Sequence, residues 1–411
     1  MRPPHPSGLT RLLVGVALLA ACLALAAVAL LVLGAFFPEL PLLGQIGSLL
    51  SGWFARVGVA VALVLAVGLA LTRWTSRRGR RRWRVVLAAL GAVALLGCIV
   101  VTVRVVATGL DHGVLINPLA GPTAPRAPDA MEQYGTVPDD PERFGALAGE
   151  PLEVSVWTPT TPQAGSAPIA FFIHGGGWIS GSATDDAAGM KATLADSGWL
   201  VISAEYTLAA PARPTAGIAE AQLGCAMAWA AAHAPDYGGS PGTFVSLGDS
   251  AGGNLAINAA YRGNAGTLSC PRQGPLPDVD AVAPLFPAVD PYALHADAIT
   301  GGDRPGRDFT ERYTGGTPAE RPEVYRAVDS STHVSPQAPP TLILQGTNDH
   351  IVRPHAVDDF AAEAAAAGVD TTLVRVPFAD HVFEASPMGS QLYTEVTLRW
   401  LEDLGLSPER S

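Results

Sequence analysis

The sequence has 411 residues, of which 48% are hydrophobic, and a formal net charge of −11. The charge is divided unevenly along the chain. Residues 1–104 contain eleven arginines and one acid, Glu39, whereas the remainder has fifteen basic and thirty-six acidic residues. This asymmetry indicates two parts that work in different environments. The acidic C-terminal part argues against a nucleic-acid partner, because phosphate binding requires a basic surface.

Three apolar stretches near the N-terminus are long enough to cross a bilayer as helices. They cover residues 12–37, 49–71 and 85–103. We predict that residues 1–110 form a membrane anchor, which contacts the lipid bilayer. Seven arginines lie between the second and third stretches, from residue 73 to residue 84. Because arginine-rich connections stay in the cytoplasm, we predict a multi-pass membrane protein with a cytoplasmic N-terminus and an extracytoplasmic C-terminal domain.

Two other interpretations of the first apolar stretch are weaker. A cleaved signal peptide has a shorter apolar core and does not lead into further spans. The residues before Cys22 are similar to a lipoprotein cleavage site, but the sequence stays apolar for about four more helical turns beyond it, at 3.6 residues per turn. We therefore expect Cys22 to pack within a membrane-spanning helix.

The C-terminal domain has the pattern of an α/β fold. Residues 111–150 are rich in Pro, Gly, Ala and Asp, and we predict a linker that leads into a catalytic domain at residues 151–411. In that domain, apolar strand-like runs alternate with helical stretches, which is typical of a mostly parallel sheet. The predicted strands are residues 152–157, 169–173, 199–204, 244–247, 279–285, 341–345 and 371–376, and the predicted helices include 186–197, 215–233, 358–367 and 391–404. Parallel sheets bind ligands at the carboxyl ends of their strands.

The stretch from Phe244 to Asn254 has the pattern of a nucleophile elbow, in which a serine lies at a sharp turn between a strand and a helix. Gly248 and Gly252 flank Ser250 at two residues' distance, where a side chain would collide with the neighbouring strand or helix. The turn exposes the Ser250 hydroxyl near a helix N-terminus, whose N–H groups stabilise negative charge. Ser250 is the predicted nucleophile, and Asp249 is a candidate substrate-binding residue.

A glycine-rich motif, HGGGW at residues 174–178, directly follows the predicted strand that ends at Ile173. Consecutive glycines leave backbone N–H groups unshielded, and together with the amide of Ala251 they would form an oxyanion hole. We expect His174 to orient this loop rather than to carry a proton. Trp178 is expected to pack in the site or at its rim.

The general base and its orienting acid are expected after the serine in chain order. Asp349 follows the predicted strand 341–345, and His381 follows the predicted strand 371–376. His381 would accept the proton of Ser250, and Asp349 would hold the imidazole in the required tautomer.

Three nearby residues are weaker candidates for these roles. His350 and His355 precede the last strand, and we expect them to cap an element or to face solvent. Asp380 adjoins His381, but side chains of sequence neighbours usually point apart, so it is the weaker candidate for the acid.

Five motifs together carry a family resemblance: HGGGW, AEYTLA, GDSAGG, GTNDHIV and DHVF. Over residues 150–405 the chain resembles the α/β-hydrolase superfamily, in the HGGG-type esterase/lipase branch related to hormone-sensitive lipase. The resemblance implies an eight-stranded, mostly parallel sheet with helices on both faces, and cleavage of carboxylic esters by a triad without a cofactor. It assigns Ser250, Asp349 and His381 to the triad, and Gly175, Gly176 and Ala251 to the oxyanion hole. Trp178 and Tyr206, the latter in the AEYTLA motif, are further candidate substrate-binding residues. The arginine that usually follows this tyrosine is replaced by Thr207.

The remaining features concern the borders of the site. Residues 288–337 interrupt the strand pattern, and we predict a cap over the site, with a plain surface excursion as the alternative. Cys225 and Cys270 could form a disulfide if their helices are neighbours and the compartment is oxidising. No CxxC motif or His/Asp cluster suggests a metal site.

The predicted function is an outward-facing, membrane-anchored serine hydrolase of carboxylic esters. Its substrate would be a small ester, a lipid or an acylated glycan, and the sequence determines neither the acyl chain length nor the oligomeric state. An acyltransferase on the same scaffold shares the acyl-enzyme and remains an alternative. A non-catalytic binding module is less favoured, because Ser250, Asp349 and His381 are all present.

Overall fold

The computed structural model describes residues 7–160, 166–184, 187–270, 273–297 and 305–408. Part of the predicted cap, residues 298–304, lies outside the described residues. The N-terminal part consists of α1 (Gly8–Phe36), the short α2 (Leu43–Leu49), α3 (Phe54–Leu71) and α4 (Arg77–Asp111). By length and composition, α1, α3 with its flanking turns, and α4 could each cross a membrane. These three helices coincide with the three predicted spans, apart from their ends.

The third helix is longer than predicted at both ends. The arginine-rich stretch forms its first turns rather than a loop, because arginine is a good helix former and Ser76 caps the helix by accepting a hydrogen bond from the Gly79 amide. At the other end α4 continues past Arg104 to Asp111. Val105 there joins a buried cluster of the C-terminal domain, so packing carries the helix beyond its apolar run.

The C-terminal domain is built around one eight-stranded sheet. Its order is β1-β2-β4-β3-β5-β6-β7-β8, in which β2 runs antiparallel to both β1 and β4 and the other pairs are parallel. This confirms the predicted mostly parallel sheet. The strands are β1 (Ala130–Thr136), β2 (Pro151–Trp157), β3 (Ala167–Ile173), β4 (Leu200–Ala204), β5 (Gly239–Asp249), β6 (Ala281–Leu285), β7 (Thr341–Gly346) and β8 (Thr371–Val376).

Helices cover both faces of the sheet, as the resemblance implies. Along β3, Ile169 and Phe171 belong to the buried cluster on one face, and Ala170 and Phe172 belong to the cluster on the other. Residues of α7, α8 and α12 pack on the first face, and residues of α6 and α13 pack on the second. The helices are α5 (Pro141–Phe144), α6 (Ala188–Asp196), α7 (Ile218–His233), α8 (Ser250–Asn264), α9 (Pro291–Ala296), α10 (Pro305–Thr314), α11 (Pro322–Val328), α12 (Pro354–Ala366) and α13 (Pro387–Asp403).

Residues 111–150 contain more structure than the predicted linker. β1 extends the sheet by pairing with β2, and Ile116 is buried in the cluster that contains Val105. The sequence did not reveal β1, because most of its side chains are exposed, as expected at a sheet edge, and give no alternating apolar pattern.

The helical part and the α/β domain meet at one end of the helices. α1 ends, α3 begins and α4 ends beside the α/β domain, as shown by hydrogen bonds from Asn348 to Ala35 and from Arg56 to Ala120, and by the burial of Val105. The arginine-rich first turns of α4 therefore lie at the opposite end of these helices. In the α/β domain, a disulfide joins Cys225 on α7 to Cys270, beyond the end of α8, with 4.9 Å between their Cα atoms.

Candidate active site

Ser250 lies where β5 turns sharply into α8. Its φ of 53° is in the left-handed region, which is strained for a residue with a side chain and is commonly maintained only at functional sites. A Cβ on Gly248 would lie 2.5 Å from the carbonyl oxygen of Gly252, and one on Gly252 would lie 2.2 Å from that of Ile173. Both positions therefore exclude any residue but glycine, for the steric reason inferred from the sequence.

The structure brings Ser250, His381 and Asp349 into one hydrogen-bonded line. His381 Nε2 is 2.9 Å from Ser250 Oγ, and His381 Nδ1 is 2.8 Å from Asp349 Oδ2. Asp349 follows β7 and His381 follows β8, so each lies on a loop at the carboxyl end of its strand. The adjacent, parallel strands β7 and β8 bring the two loops side by side.

The carboxylate of Asp349 is fully buried and accepts four hydrogen bonds. Oδ1 accepts from the backbone amides of Ile351 and Val352 at 2.8 and 2.9 Å. Oδ2 accepts from Nε2 of Gln345 at 3.0 Å as well as from His381. These donors fix the carboxylate so that one oxygen is directed to the imidazole.

His381 is only 6% exposed, and its ring lies 4.3 Å from that of Phe286, measured between centroids. Burial by itself lowers the pKa of the imidazole. The negative charge and hydrogen bond of Asp349, with smaller effects of Glu384 and Asp380, outweigh burial and raise the pKa of His381 above its ordinary value. The imidazole is therefore a stronger base than an isolated histidine.

The glycine-rich loop after β3 contacts the turn before the serine. A Cβ on Gly175 would lie 2.3 Å from Oδ2 of Asp249 and 2.9 Å from its carbonyl oxygen. Gly176 adopts a φ of 92°, and a Cβ there would lie 2.1 Å from the carbonyl oxygen of Ser180. Ala251 lies in the first turn of α8, where backbone N–H groups have no partner within the helix. The structure thus places Gly175 directly against Asp249, which is two residues before Ala251 in the chain.

Tyr206 is buried against the glycine-rich loop and holds it by hydrogen bonds. It is 2% exposed, and its hydroxyl donates to the carbonyl oxygens of His174 and Gly175 at 3.0 and 3.2 Å. The ring of His174 stacks on Tyr206 at 4.3 Å, and its Nε2 lies 3.4 Å from Oε2 of Glu205. Buried contacts of this kind fit the predicted orienting role of His174. For Tyr206, they favour a structural role over the tentative role in substrate binding.

Trp178 and the inserted helices cover the other side of the loop. Trp178 is buried, and its ring stacks on Tyr313 of α10 with 4.6 Å between centroids and 4° between planes. A Cβ on Gly177 would lie 2.8 Å from the ring of Phe309, which is also on α10. The described part of the insertion therefore packs directly on the glycine-rich loop.

His350 was expected to cap an element or to face solvent, and this prediction is wrong. It is 4% exposed, and its Nδ1 lies 2.7 Å from Oδ2 of Asp380. Asp380 is therefore paired with His350 rather than with the imidazole of His381. His355, in contrast, has 61% of its side chain exposed, as expected. Sequence spacing gave no sign of the His350–Asp380 pair, because the two residues are thirty positions apart.

The fold and this line of serine, histidine and aspartate together define the class of α/β-hydrolases. Among the described residues, no group of three or more His, Cys, Asp or Glu side chains could hold a metal ion. The chain belongs to the BD-FAE family, whose model matches residues 155–363.

Two curated relatives come from Mycobacterium tuberculosis. The chain is 26% identical to LipM, a probable carboxylic ester hydrolase, over 253 residues, which are 61% of this chain and 57% of LipM. It is 28% identical to the esterase LipC over 238 residues, which are 56% of this chain and 57% of LipC. The chain thus spans about 57% of the length of both relatives.

A solved structure shares the fold. The esterase Est2 of Thermogutta terrifontis with bound propionate superposes with a TM-score of 0.54, covering 69% of this chain and 96% of that chain at 22% identity. Est2 has also been solved phosphorylated by paraoxon, with a TM-score of 0.53. At this level of identity the likeness establishes the architecture and leaves the chemistry to the site itself.

Proposed function

We propose that this protein is a membrane-anchored serine hydrolase that cleaves carboxylic esters. The observation that carries the proposal is the pair of contacts of His381, 2.9 Å from Ser250 Oγ and 2.8 Å from Asp349 Oδ2. Membership of the BD-FAE family and the names of the relatives LipM and LipC support ester hydrolysis over other acyl chemistry.

The reaction would proceed through an acyl-enzyme. Ser250 Oγ attacks the ester carbonyl carbon while its proton passes to Nε2 of His381, and the resulting imidazolium is stabilised by Asp349. The amides of Gly175, Gly176 and Ala251 would stabilise the negative oxygen of the tetrahedral intermediate. His381 then protonates the leaving alcohol, and a water molecule, deprotonated by the same imidazole, releases the acid and restores Ser250.

The three long helices would anchor the enzyme in a membrane. Leucines and valines on the outside of these helices support the anchor. The arginine-rich first turns of α4, at the end far from the α/β domain, support a cytoplasmic N-terminus and an extracytoplasmic α/β domain. The disulfide between Cys225 and Cys270 supports the same orientation, because disulfides persist in oxidising compartments.

The test is hydrolysis of p-nitrophenyl esters, from acetyl to palmitoyl, by the full chain in detergent micelles beside Ser250→Ala. We expect kcat to fall by at least about 10⁴-fold in the variant, since removal of a triad nucleophile leaves only binding and the oxyanion hole. Stoichiometric phosphorylation by paraoxon, lost in Ser250→Ala, would identify the nucleophile independently of the substrate. Equal hydrolysis by the two proteins would overturn the assignment, and the preferred chain length would separate small esters from lipids.

A further inference from the structure

The connection between the first two long helices lies against the two loops that carry Asp349 and His381. We define the collar as residues 35–53, from the last turn of α1 to the start of α3. On its α1 side, the ring of Phe36 lies 4.8 Å from that of Phe378, which follows β8. The collar therefore reaches the same sheet edge as the candidate site.

Asn348, the neighbour of Asp349, binds the collar directly. Its side-chain Nδ2 donates to the carbonyl oxygen of Ala35 at 2.8 Å and lies 2.9 Å from the hydroxyl oxygen of Ser48. Ala35 is in the last turn of α1, where carbonyl groups have no partner within the helix. Asn348 thus satisfies an otherwise unpaired carbonyl and ties the loop of Asp349 to the end of the helix.

His350, the other neighbour of Asp349, connects the collar to both loops. Its Nε2 lies 3.0 Å from the carbonyl oxygen of Pro38, and its Nδ1 lies 2.7 Å from Oδ2 of Asp380. The other oxygen of Asp380 accepts the backbone amides of His350 and His381 at 2.9 and 2.8 Å. A single chain of hydrogen bonds therefore runs from the collar through His350 and Asp380 to the backbone of His381.

The two partners of the His350 ring, Oδ2 of Asp380 and the carbonyl oxygen of Pro38, can both accept, so a ring protonated on both nitrogens would donate to each of them. Burial lowers the pKa of His350, but the hydrogen bond and charge of Asp380 and the hydrogen bond to Pro38 outweigh burial and the opposing charge of Arg353, and raise this pKa. When protonated, the imidazolium of His350 offsets the charge of the Asp380 side chain beside the candidate base.

A third contact joins the collar to the segment after His381. A Cβ on Gly52 would lie 1.8 Å from the hydroxyl oxygen of Ser386 and 2.5 Å from its Cβ, so the Gly52 backbone packs directly against the Ser386 side chain. Ser386 donates to the carbonyl oxygen of Phe383 at 2.7 Å and caps α13 by accepting from the Gly389 amide. Even one added methyl group at Gly52 must displace this segment.

We propose that the collar is a positioning element of the active site, and that Asn348 and His350 are the positioning residues through which it holds the Asp349 and His381 loops. This inference rests on the proposed function, because it gives the collar a role in the reaction of Ser250. A tether alone would need no polar contacts beside two triad residues. Catalysis depends on such positioning, since a displacement of about 1 Å can reduce the rate by about 100-fold.

The first test compares two histidines of the same stretch in the full chain in detergent micelles. His350→Ala removes the bridge, whereas His355→Ala removes an exposed side chain, 61% accessible, and serves as the control. We expect His350→Ala to reduce kcat for p-nitrophenyl acetate by about tenfold, with KM within about twofold of the control, because the substrate pocket is untouched while the base and acid loosen.

The pH dependence of kcat/KM distinguishes the loss of the His350 charge from a general loosening of the two loops. Without the imidazolium of His350, the carboxylate of Asp380 is unbalanced and raises the pKa of His381 further. The acidic limb of kcat/KM should therefore shift to higher pH in His350→Ala and stay in place in His355→Ala.

The second test changes only the helical part. Gly52→Ala introduces the clash with Ser386, and Gly15→Ala, in α1, adds the same methyl group where nothing lies within 4 Å. We expect about a tenfold lower kcat for Gly52→Ala than for Gly15→Ala. If Gly52→Ala does not fold, Ser48→Ala replaces it, since it removes only one acceptor of Asn348, and a loss of about threefold is expected.

The outcomes separate the two proposals. If the unmodified chain and Ser250→Ala hydrolyse the ester equally, the proposed function fails. If the unmodified chain is active through Ser250 but the folded collar variants match their controls in kcat and in pH profile, the positioning role of the collar is overturned and the helices are a tether only.

Discussion

The two regions of this molecule expose apolar side chains to very different extents. In the helical part, Leu12, Leu63 and Leu96 each have more than 60% of their surface exposed. Among the described residues from 130 to 408, only Met131 and Val382 are exposed large apolar side chains, at 54% and 41%. Both regions nevertheless have buried clusters of their own.

Under the proposed membrane anchoring, the difference in exposure reflects two solvents, lipid around the helical part and water around the α/β domain. In water, burying an exposed leucine would stabilise the protein by about 25 cal/mol for each Å² of apolar surface that is removed from water. In lipid, burying the same surface would stabilise it hardly at all, because lipid tails are as apolar as leucine. Polar chemistry belongs to the region that faces water, and the candidate nucleophile, base and acid all lie there. We therefore expect changes to the α/β domain to alter catalysis and its pH dependence without releasing the protein from membranes.

The largest expected effect is a difference in kcat between variants of two aspartates of the α/β domain, Asp349 and Asp380. Asp349→Asn keeps the shape of the side chain but cannot hold the tautomer of His381, and kcat should fall by about 10⁴-fold. Asp380→Asn weakens the contact with His350 instead, and we expect about a tenfold loss. The measurement is kcat for p-nitrophenyl acetate in the full chain.

Membrane association provides the control for both variants. Each should remain in the membrane fraction after a high-salt wash, because neither change touches α1, α3 or α4. A loss in Asp380→Asn as large as that in Asp349→Asn would contradict the assignment of the acid.

The two regions also differ in the state of their cysteines. Cys225 and Cys270 are joined in the α/β domain across a sequence separation of 45 residues, whereas Cys22 and Cys98 in the helices are free. Replacing Cys225 and Cys270 together by serine should lower the free energy of unfolding by about 2–4 kcal/mol, since the bridge restricts the unfolded chain.

Thermal unfolding with and without a reductant measures this effect. Dithiothreitol should lower the Tm of the unmodified chain and leave that of the double variant unchanged. If dithiothreitol leaves the Tm of the unmodified chain unchanged, the disulfide does not stabilise the α/β domain.

The smallest expected effect is a shift of the pH profile. The pKa of His381 is raised, so the imidazole stays protonated to a higher pH than an ordinary histidine, whose pKa is about 6.5. Only the neutral ring accepts the proton of Ser250, so kcat/KM should rise about tenfold per pH unit below an apparent pKa that lies above this ordinary value.

Steady-state kinetics between about pH 5 and pH 9 gives this profile. An acidic limb with an apparent pKa below the ordinary value would mean that burial, rather than Asp349, dominates the environment of His381.

Much of the candidate site could be predicted because its constraints are local. Gly248, Ser250 and Gly252 encode the elbow within five residues, since a tight turn leaves no room for side chains at the flanking positions. Asp349 and His381 could be located because a parallel sheet aligns the carboxyl ends of its strands. In both cases a local pattern and a general rule of the fold were sufficient.

The features that the sequence did not reveal depend on distant partners. β1 has exposed side chains and becomes a strand only by pairing with β2. The last turns of α4 continue past Arg104 because Val105 packs against the α/β domain. His350 finds Asp380 thirty positions away and Pro38 more than three hundred positions away, and no local pattern encodes either contact.

The length of α4 has a consequence for which esters the enzyme can reach. Its 35 residues span about 52 Å, against a hydrocarbon core of about 30 Å. The last turns of this helix pack against the α/β domain through Val105, so in the proposed topology Ser250 would be held at one fixed height above the bilayer. The enzyme would then meet its substrates by lateral diffusion in two dimensions, and an ester would be cleaved only if its carbonyl is presented at that height.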